Sequence, residues 1–202
     1  MWSRFSDADA PDPFAGGLPT LRSADGGVVL RAPREGDLDA ILAVFGDAEH
    51  LAYWAHGPLA DRAAAETYLA GIRDGCRDRT LFQWAVTEPG HDRLVGTVTL
   101  VGWDRPNRRC EIGFILHPDH TGRGLATRAV RTALAFAFGG MGLHRVEADA
   151  DPDNAASLGL LERLGFQREG HFRERWFTFG SWKDSVMLGL LAADFDATAP
   201  RR

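Results

Sequence analysis

Apolar and polar positions change their period several times along the chain, and each change marks a predicted element. Val28–Arg31 is a short apolar run that is typical of a strand. Apolar side chains then recur at helical spacing through residues 38–45, behind Asp37 as a candidate N-cap, and again through residues 65–72. After that the period falls to two, which predicts strands over Leu81–Thr87, Leu94–Trp103 and Cys110–Leu116.

The second half of the chain alternates helices with strands. A helix is predicted from Gly124 to Phe138, and another opens at Asn154 and ends at Gly165. Further strands are predicted over Val146–Ala150, Phe166–Phe179 and Ser185–Leu191. A strand-helix-strand unit implies parallel pairing, whereas the meander before it implies antiparallel pairing. The sequence therefore predicts an α/β fold with one mixed β-sheet and helices on its faces.

Length and composition narrow the class of protein. The 202 residues, 45% of them hydrophobic, suit one globular domain, which we place at residues 27–195 between a flexible N-terminal arm (1–26) and a C-terminal tail (196–202). A net charge of -5 argues against a nucleic-acid partner. No apolar run reaches the roughly 18–20 residues of a membrane span. Cys76 and Cys110 lie far apart without metal-ligand spacing, which indicates free thiols, a cytoplasmic protein and no metal site.

A glycine-rich turn, Thr121–Ala126, joins a predicted strand to the long helix after it. Gly122 and Gly124 allow the backbone to turn tightly and to approach a ligand. Amides at a helix start carry partial positive charge that suits a phosphate, and Arg123 can add a charge-assisted contact. The glycine spacing fits neither the dinucleotide fingerprint nor the P-loop. A tight turn with only a structural role is the alternative.

Other segments occur in a fixed order around this turn. They are Glu111–Leu116 before it, then Asn154-x-x-Ser157, Leu161–Phe166 and Glu169–Gly170 after it. Together they resemble the GCN5-related N-acetyltransferase (GNAT) family, and in particular its RimJ/RimL-like branch. The family's motif Gln/Arg-x-x-Gly-x-Gly/Ala aligns with the turn, although Thr121 departs from its first position. The resemblance implies the GNAT fold and acetyl transfer from acetyl-CoA to a primary amine. The acceptor would be a peptide or protein N-terminal α-amine, or a small-molecule amine.

The resemblance also implies a coenzyme A site in which main-chain groups are prominent. The cofactor-binding residues that it implies are Phe114, Ile115, Leu116, Thr121, Gly122, Arg123, Gly124, Leu125, Ala126, Thr127, Asn154 and Ser157. The amide of Phe114 is the candidate to polarise the thioester carbonyl. Asn154 is also a preferred helix N-cap, and Ser157 could bond only to backbone, so both alternatives stay open.

Acyl transfer to an amine needs a base for the amine and a donor or acid for the departing thiolate. Glu111 is the leading candidate for the base; the alternative is an ion pair with Arg108 or Arg109. Ser157 is the candidate donor to the sulfur; the alternative is that there is no discrete acid, because a CoA thiol is a tolerable leaving group. Many family members place a Tyr acid at the position of Leu161, which has no proton to donate.

The sequence gives little information about which residues bind the acceptor. Candidates to line the acceptor side are Trp54, His56, Trp103, Arg175 and Trp176, and weaker candidates for the base are Glu169 and Glu174. A different class of function also fits, namely a degenerate member that binds acyl-CoA as a sensor or structural module without turnover. A homodimer is suggested by analogy with the related branch alone.

Overall fold

The fold is a single mixed sheet with helices on both faces. A computed structural model describes residues 12–54 and 57–197, and these residues form eight strands and four α-helices. The strands are β1 (Leu21–Arg22), β2 (Val29–Arg31), β3 (Leu81–Glu88), β4 (His91–Asp104), β5 (Arg109–Leu116), β6 (Arg145–Ala150), β7 (Gln167–Thr178) and β8 (Ser181–Leu191). The helices are α1 (Leu38–Phe45), α2 (Arg62–Asp78), α3 (Leu125–Gly139) and α4 (Ala155–Arg163).

The strands lie in the order β1-β2-β3-β4-β5-β6-β8-β7. Neighbouring strands are antiparallel except β5 and β6, which are parallel and are joined through α3. This order confirms the predicted mixed sheet, including the parallel pair that the strand-helix-strand pattern indicated.

The two faces of the sheet carry separate hydrophobic clusters, because side chains alternate along each strand. On the back face, Cys110 and Ile112 of β5 pack in a cluster that includes α3 and α4. On the front face, Ile115 packs in a second cluster with α1 and α2. The front face of β5 therefore carries Glu111, Gly113 and Ile115, as the alternation in the sequence indicated.

Strands β5 and β6 diverge shortly after they meet. Their pairing runs only from Arg109 with Arg145 to Glu111 with Glu147. Beyond that point β5 remains paired with β4, while β6 remains paired with β8. Among the described residues, one edge of β5 is thus left without a strand neighbour from Ile112 onward, and this gap positions the site.

Residues 12–26 pack onto the domain, whereas the sequence analysis expected a flexible arm there. Phe14 is 2% exposed and stacks on Phe82 with ring centroids 3.7 Å apart. Asp12 binds the guanidinium of Arg79 at 2.6 Å (Oδ2–Nη2), and β1 pairs with β2. One aromatic side chain and a two-residue strand produce no periodic signal, which is why the pattern missed them. Residues 1–11 and 198–202 lie outside the described residues.

Asp37 stands at the N-cap position of α1, but its side chain makes no cap hydrogen bond there. Its carboxylate instead accepts from the guanidinium of Arg31 at 2.7 Å and from the Arg34 amide at 2.9 Å. The residue therefore ties the end of β2 to the entry of α1.

Both cysteines are free thiols. Cys110 is buried in the back cluster, and burial raises the pKa of its thiol to about 12. Among residues 12–54 and 57–197, no group of three or more His, Cys, Asp or Glu side chains is arranged to hold a metal ion. The helices of this same part of the chain are too short or too polar to cross a bilayer.

Candidate active site

A cavity of about 1030 Å³ opens at the divergence of β5 and β6. Its walls are β5, the start of α3, one side of α4 and the connection between α1 and α2 (residues 46–61). The lining residues are Glu49, His50, Tyr53, Trp54, Phe114, Ile115, Leu116, His120, Thr121, Gly122, Gly124, Leu125, Ala126, Thr127, Arg131, Asn154, Ala156, Ser157, Leu160 and Arg163. A cavity of this size is large enough for a cofactor-sized ligand.

The glycine-rich turn forms the wall at the start of α3. Gly122 and Gly124 adopt φ values of 70° and 71°, a left-handed conformation that glycine takes at little cost. Gly124 is the N-cap of α3 and contributes no side chain to cap it. The first amides of α3 therefore keep their capacity to bind an anion from the cavity.

Arg123 differs from the expectation for this turn. Its Nη2 atom donates to Glu88 Oε1 at 2.6 Å, and the residue does not line the cavity. His120 approaches the same carboxylate, with Nδ1 3.3 Å from Glu88 Oε2. The carboxylate at the end of β3 draws the guanidinium away, a long-range partner that the local motif could not reveal.

The open edge of β5 presents main-chain groups to the gap. The amide of His117 donates to the carbonyl of Val95 in β4 at 2.8 Å, so the backbone groups of His117 point toward β4. Backbone groups of successive residues in an antiparallel pair point to alternate sides. Those of Phe114 and Leu116 therefore point away from β4, toward the edge that β6 has left.

Helix α4 places polar groups on the opposite wall. The Oδ1 atom of Asn154 accepts from the Ser157 amide at 3.1 Å, so Asn154 caps this helix as its sequence position indicated. Both residues line the cavity. Within the described residues, the Ser157 hydroxyl has no hydrogen-bond partner. Leu161 is buried in the back cluster and offers no donor.

Glu111 lies on the front face of β5, half-buried, and does not itself line the cavity. No hydrogen bond or ion pair reaches its carboxylate from the described part of the chain. The alternative pairing with Arg109 is not formed, since Arg109 binds Asp104 and Glu147 instead. A Cβ atom built on Gly113 would meet nothing within 4 Å, so the front face is open between Glu111 and the cavity wall.

Burial, together with neighbouring charges, makes Glu111 a weaker acid than an ordinary glutamate. Burial is the largest cause that raises the pKa of its carboxyl, and the negative charges of Asp149 and Glu147 act in the same direction. Arg175 opposes them. A carboxylate with a raised pKa holds a proton more readily, which suits a proton acceptor.

Asp149 organises the front face beside Glu111. Its carboxylate accepts from the Ser185 hydroxyl, from the Trp176 indole at 3.1 Å, and from the Arg175 guanidinium at 3.0 Å. Arg175 and Trp176, which the sequence suggested for the acceptor side, are thus held on the front face.

The remaining acceptor and base candidates lie elsewhere or are already engaged. Trp103 packs against Phe14 and Phe82 in the back cluster, with ring centroids 5.8 Å and 5.7 Å away, so it does not face the cavity. Glu169 binds Arg145, which lowers the pKa of its carboxyl and weakens it as a base. Glu174 is exposed. His56 lies outside the described residues.

The sequence analysis missed part of the cavity wall. Glu49, His50 and Tyr53 join the predicted Trp54 there, all four in the connection between α1 and α2. The unusual length of a connection between two packed helices was the available signal, because long loops in compact domains are commonly functional. Other lining residues that it missed are His120, Arg131, Ala156, Leu160 and Arg163.

Comparisons with known proteins agree with this architecture. The sequence model of the family described as Acetyltransferase (GNAT) domain matches residues 28–167. The spermidine N(1)-acetyltransferase of Vibrio cholerae is 28% identical, over 83% of this chain and 95% of its own length. The [ribosomal protein uS5]-alanine N-acetyltransferase of Escherichia coli is 23% identical, over 90% of this chain and 96% of its own. Mycobacterium smegmatis RimJ in complex with CoA-disulfide superposes with a TM-score of 0.75 at 26% identity, covering 87% of each chain.

Proposed function

Because the chain belongs to the GNAT acetyltransferase family, we propose that its cavity holds acetyl-CoA for direct attack by a primary amine. The protein is an acetyl-CoA-dependent N-acetyltransferase, and the acceptor that we propose is a peptide or protein N-terminal α-amine or a small-molecule amine. One observation carries the proposal. A single cavity runs from the start of α3, along the open edge of β5, to the connection between α1 and α2.

The residues of this cavity fit the chemical groups of coenzyme A. The free amides at the start of α3 suit the pyrophosphate, with Thr121–Thr127 around it and Arg123 in reach only if it leaves Glu88. The outward groups of Phe114 and Leu116 suit the amides of the pantetheine arm, which would pair with β5 as an added strand would. Asn154 and Ser157 line the cavity at the start of α4, where they would contact the same arm.

The transfer itself needs one proton acceptor and one donor. The amine nitrogen attacks the thioester carbonyl carbon, the C–S bond breaks, and the amine loses a proton. We assign that proton to Glu111, directly or through a water in the open space beside Gly113. The amide of Phe114 stabilises the negative charge on the carbonyl oxygen. The Ser157 hydroxyl donates to the departing sulfur, a role left open to it because none of the described residues bonds to this hydroxyl.

The two relatives named for their substrates act on different amines, a polyamine and a protein alanine. Both substrates are consistent with the proposed reaction. Leu161, which has no proton to donate, is the one feature that favours the second candidate function, a binding module without turnover.

The experiment that separates these candidates follows free thiol release from acetyl-CoA. The purified protein is incubated with peptides that begin with alanine or serine, and with spermidine, aminoglycosides and amino acids. We expect release with at least one amine and an acetylated product by mass spectrometry. Tight acetyl-CoA binding by calorimetry without release on this panel would instead support the binding module. Absence of any binding would contradict both candidates.

A further inference from the structure

Strand β7 contains a bulge opposite Asp184 of β8. The regular pairing of the two strands ends at Phe172 with Ser185 and resumes only at Trp176 with Lys183. Three residues of β7 therefore lie opposite one residue of β8. Inserted residues interrupt the alternation of side chains along a strand and re-aim those beside them. The bulge thus determines which face of the sheet the side chains of this segment occupy.

The bulge brings two consecutive side chains to the same carboxylate. The Nε atom of Arg175 lies 3.0 Å from Asp149 Oδ2, and the Trp176 indole donates to the same oxygen at 3.1 Å. Consecutive residues of a regular strand point to opposite faces of the sheet, so a regular strand would direct only one of them to the front face. The Arg175 guanidinium also lies over the Phe172 ring, 4.9 Å from its centroid. The bulge is therefore what gathers Arg175 and Trp176 around Asp149.

Asp184 holds the bulge from the back face, on which Val186 of the back cluster also lies two residues further on. Its Oδ1 atom accepts from the Glu174 amide, in the middle of the bulge, at 2.9 Å, and its Oδ2 atom lies 2.7 Å from His171 Nε2. Glu174 has a φ of 51°, a left-handed conformation that costs free energy in a residue other than glycine. A strained backbone persists only where its surroundings hold it, and the hydrogen bond from this amide to Asp184 does so here.

The charges that the bulge gathers lie beside the proposed base. Glu147 pairs with Glu111 across β6 and β5, and Asp149 lies two residues further along the same face of β6. Burial raises the pKa of the Glu111 carboxyl most, and the charges of Asp149 and Glu147 raise it further. The charge of Arg175 lowers it. The position of one guanidinium therefore offsets part of the effect of two carboxylates on the base.

We propose that Asp184 is a positioning residue for the proposed base, Glu111. By holding the bulge it keeps Arg175 on Asp149, and so keeps a positive charge beside the base. Asp184 does not line the cavity, so it acts through the backbone of the bulge and not by contact with a substrate. The inference rests on the proposed function, because it concerns the group to which we assign the proton of the amine.

Carbon-13 NMR of the side-chain carboxyls measures the pKa of Glu111 in the free protein, and its signal is the one absent from Glu111→Gln. We expect Asp184→Ala to raise this pKa, because Arg175 is no longer held on Asp149. Loss of the Asp184 charge by itself would act in the opposite direction, since removal of a negative charge lowers the pKa of a nearby acid. Asp184→Asn retains an oxygen that can accept from the Glu174 amide, so its pKa should stay at or below the wild-type value. A pKa in Asp184→Ala at or below the wild-type value overturns the inference.

A double variant tests whether the effect passes through Arg175. In an Arg175→Gln background, Asp184→Ala should raise the pKa of Glu111 no further, because the charge that it displaces is already absent. A further rise would mean that Asp184 acts by another route, and would overturn the inference. Asp78→Ala, at an exposed carboxylate on α2 away from the cavity, is the matched control and should leave this pKa unchanged.

The indole N–H signal of Trp176 reports the geometry of the bulge without reference to any charge on Glu111. The signal is identified by its absence from Trp176→Phe. Because the indole donates to Asp149, we expect the signal to move in Asp184→Ala and to keep its place in Asp184→Asn. An unmoved signal in Asp184→Ala would show that the bulge does not depend on Asp184, which overturns the inference.

Kinetics separate failure of this inference from failure of the proposed function. If Glu111 is the base, the acidic step of kcat against pH should move upward in Asp184→Ala together with the pKa measured by NMR. Acetyl-CoA affinity by calorimetry should stay within about twofold of the wild-type value, because Asp184 is remote from the cavity wall. A raised NMR pKa without a matching change in kcat would support the positioning by Asp184 and exclude Glu111 as the base. An unchanged NMR pKa in a protein that still releases thiol overturns this inference alone.

Discussion

The guanidinium of Arg123 donates to the Glu88 carboxylate, with Nη2 and Oε1 2.6 Å apart. This pair ties the glycine-rich turn to the end of β3, and His120 contacts the other carboxylate oxygen. A cation that is already paired adds little to the binding of an anion, because its partner offsets its charge. In the proposed complex, the main-chain amides of the turn would then supply most of the attraction for the pyrophosphate.

Loss of the Arg123 side chain should accordingly have a small effect. We expect Arg123→Ala to weaken acetyl-CoA binding by less than about threefold, the scale of an exposed ion pair. Isothermal titration calorimetry measures the change directly. A tenfold loss would instead indicate that Arg123 exchanges Glu88 for the cofactor when it binds.

Gly124 should tolerate no acidic side chain. Its φ of 71° is strained for other residues, and a carboxylate at the start of α3 would repel the pyrophosphate. We expect Gly124→Glu to abolish detectable acetyl-CoA binding by calorimetry. Gly142→Glu is the matched control, because Gly142 has a φ of 64°, open space around it and no place in the cavity wall. If both variants lost acetyl-CoA binding equally, the loss would be due to backbone strain.

Glu111 should control the acidic side of the pH–rate profile. The base acts in its ionised form, so turnover should rise with pH through a raised pKa, above the ordinary value of 4.5. We expect Glu111→Gln to lower kcat at least about tenfold and to remove this step, while calorimetry shows nearly unchanged acetyl-CoA affinity. Arg175→Gln, which removes the opposing positive charge, should move the step to higher pH. A Glu111→Gln profile with the wild-type shape would exclude Glu111 from proton transfer.

The same carboxylate should make stability depend on pH. Because burial raises the pKa of Glu111 in the folded chain, its ionisation costs stability as pH rises from the ordinary value of 4.5 through the raised pKa. Glu111→Gln lacks this cost, so its Tm should exceed the wild-type Tm at pH 8. At pH 4 the two proteins should melt together. Thermal unfolding at both pH values checks this pattern.

Two variants of Asn154 can separate its helix cap from its proposed contact with the cofactor. Asn154→Asp keeps the side-chain oxygen that accepts from the Ser157 amide, whereas Asn154→Ala removes it. We expect only the Ala variant to lose about 1 kcal/mol of stability in urea. Both should bind acetyl-CoA roughly tenfold more weakly if the Nδ2 atom donates to the pantetheine arm. Wild-type affinity for acetyl-CoA in Asn154→Asp would mean that Asn154 serves only as the helix cap.

Phe14 should be needed for the stability of the domain. Its ring is buried between Phe82 and neighbouring aromatic residues. We expect Phe14→Ala to lower the free energy of unfolding by about 3–5 kcal/mol in urea denaturation. Phe177→Ala, at a side chain that is 61% exposed, should change it by less than about 0.5 kcal/mol. Similar small effects in both variants would mean that residues 12–26 are dispensable, as an arm would be.

The sequence was sufficient for the elements that have a strong period or a strong motif. The long strands, the four helices and the parallel pair all follow from apolar spacing, and the turn at Thr121–Ala126 follows from its glycines. Eleven of the twelve residues that the resemblance assigned to the cofactor line the cavity, all but Arg123. These features are local, so a short window of sequence contains the information.

The features that escaped prediction depend on partners distant in sequence. Arg123 is turned by Glu88, which is separated from it by two strands. His50 enters the cavity because Leu51 is anchored in the front cluster, and no motif marks either residue. Phe14 finds its place against β3, which it precedes by many residues. Tertiary packing determines the position of each of these side chains, and the periodicity of the sequence contains no information about that packing.

The gap between β5 and β6 makes the stability of the folded protein depend on the concentration of its ligand. If acetyl-CoA pairs with the open edge of β5 as we propose, it completes the sheet there and the liganded chain is the more stable form. This stabilisation grows with the logarithm of ligand concentration once the site is largely filled. A higher concentration of acetyl-CoA would therefore hold a larger fraction of this enzyme in its folded, liganded form.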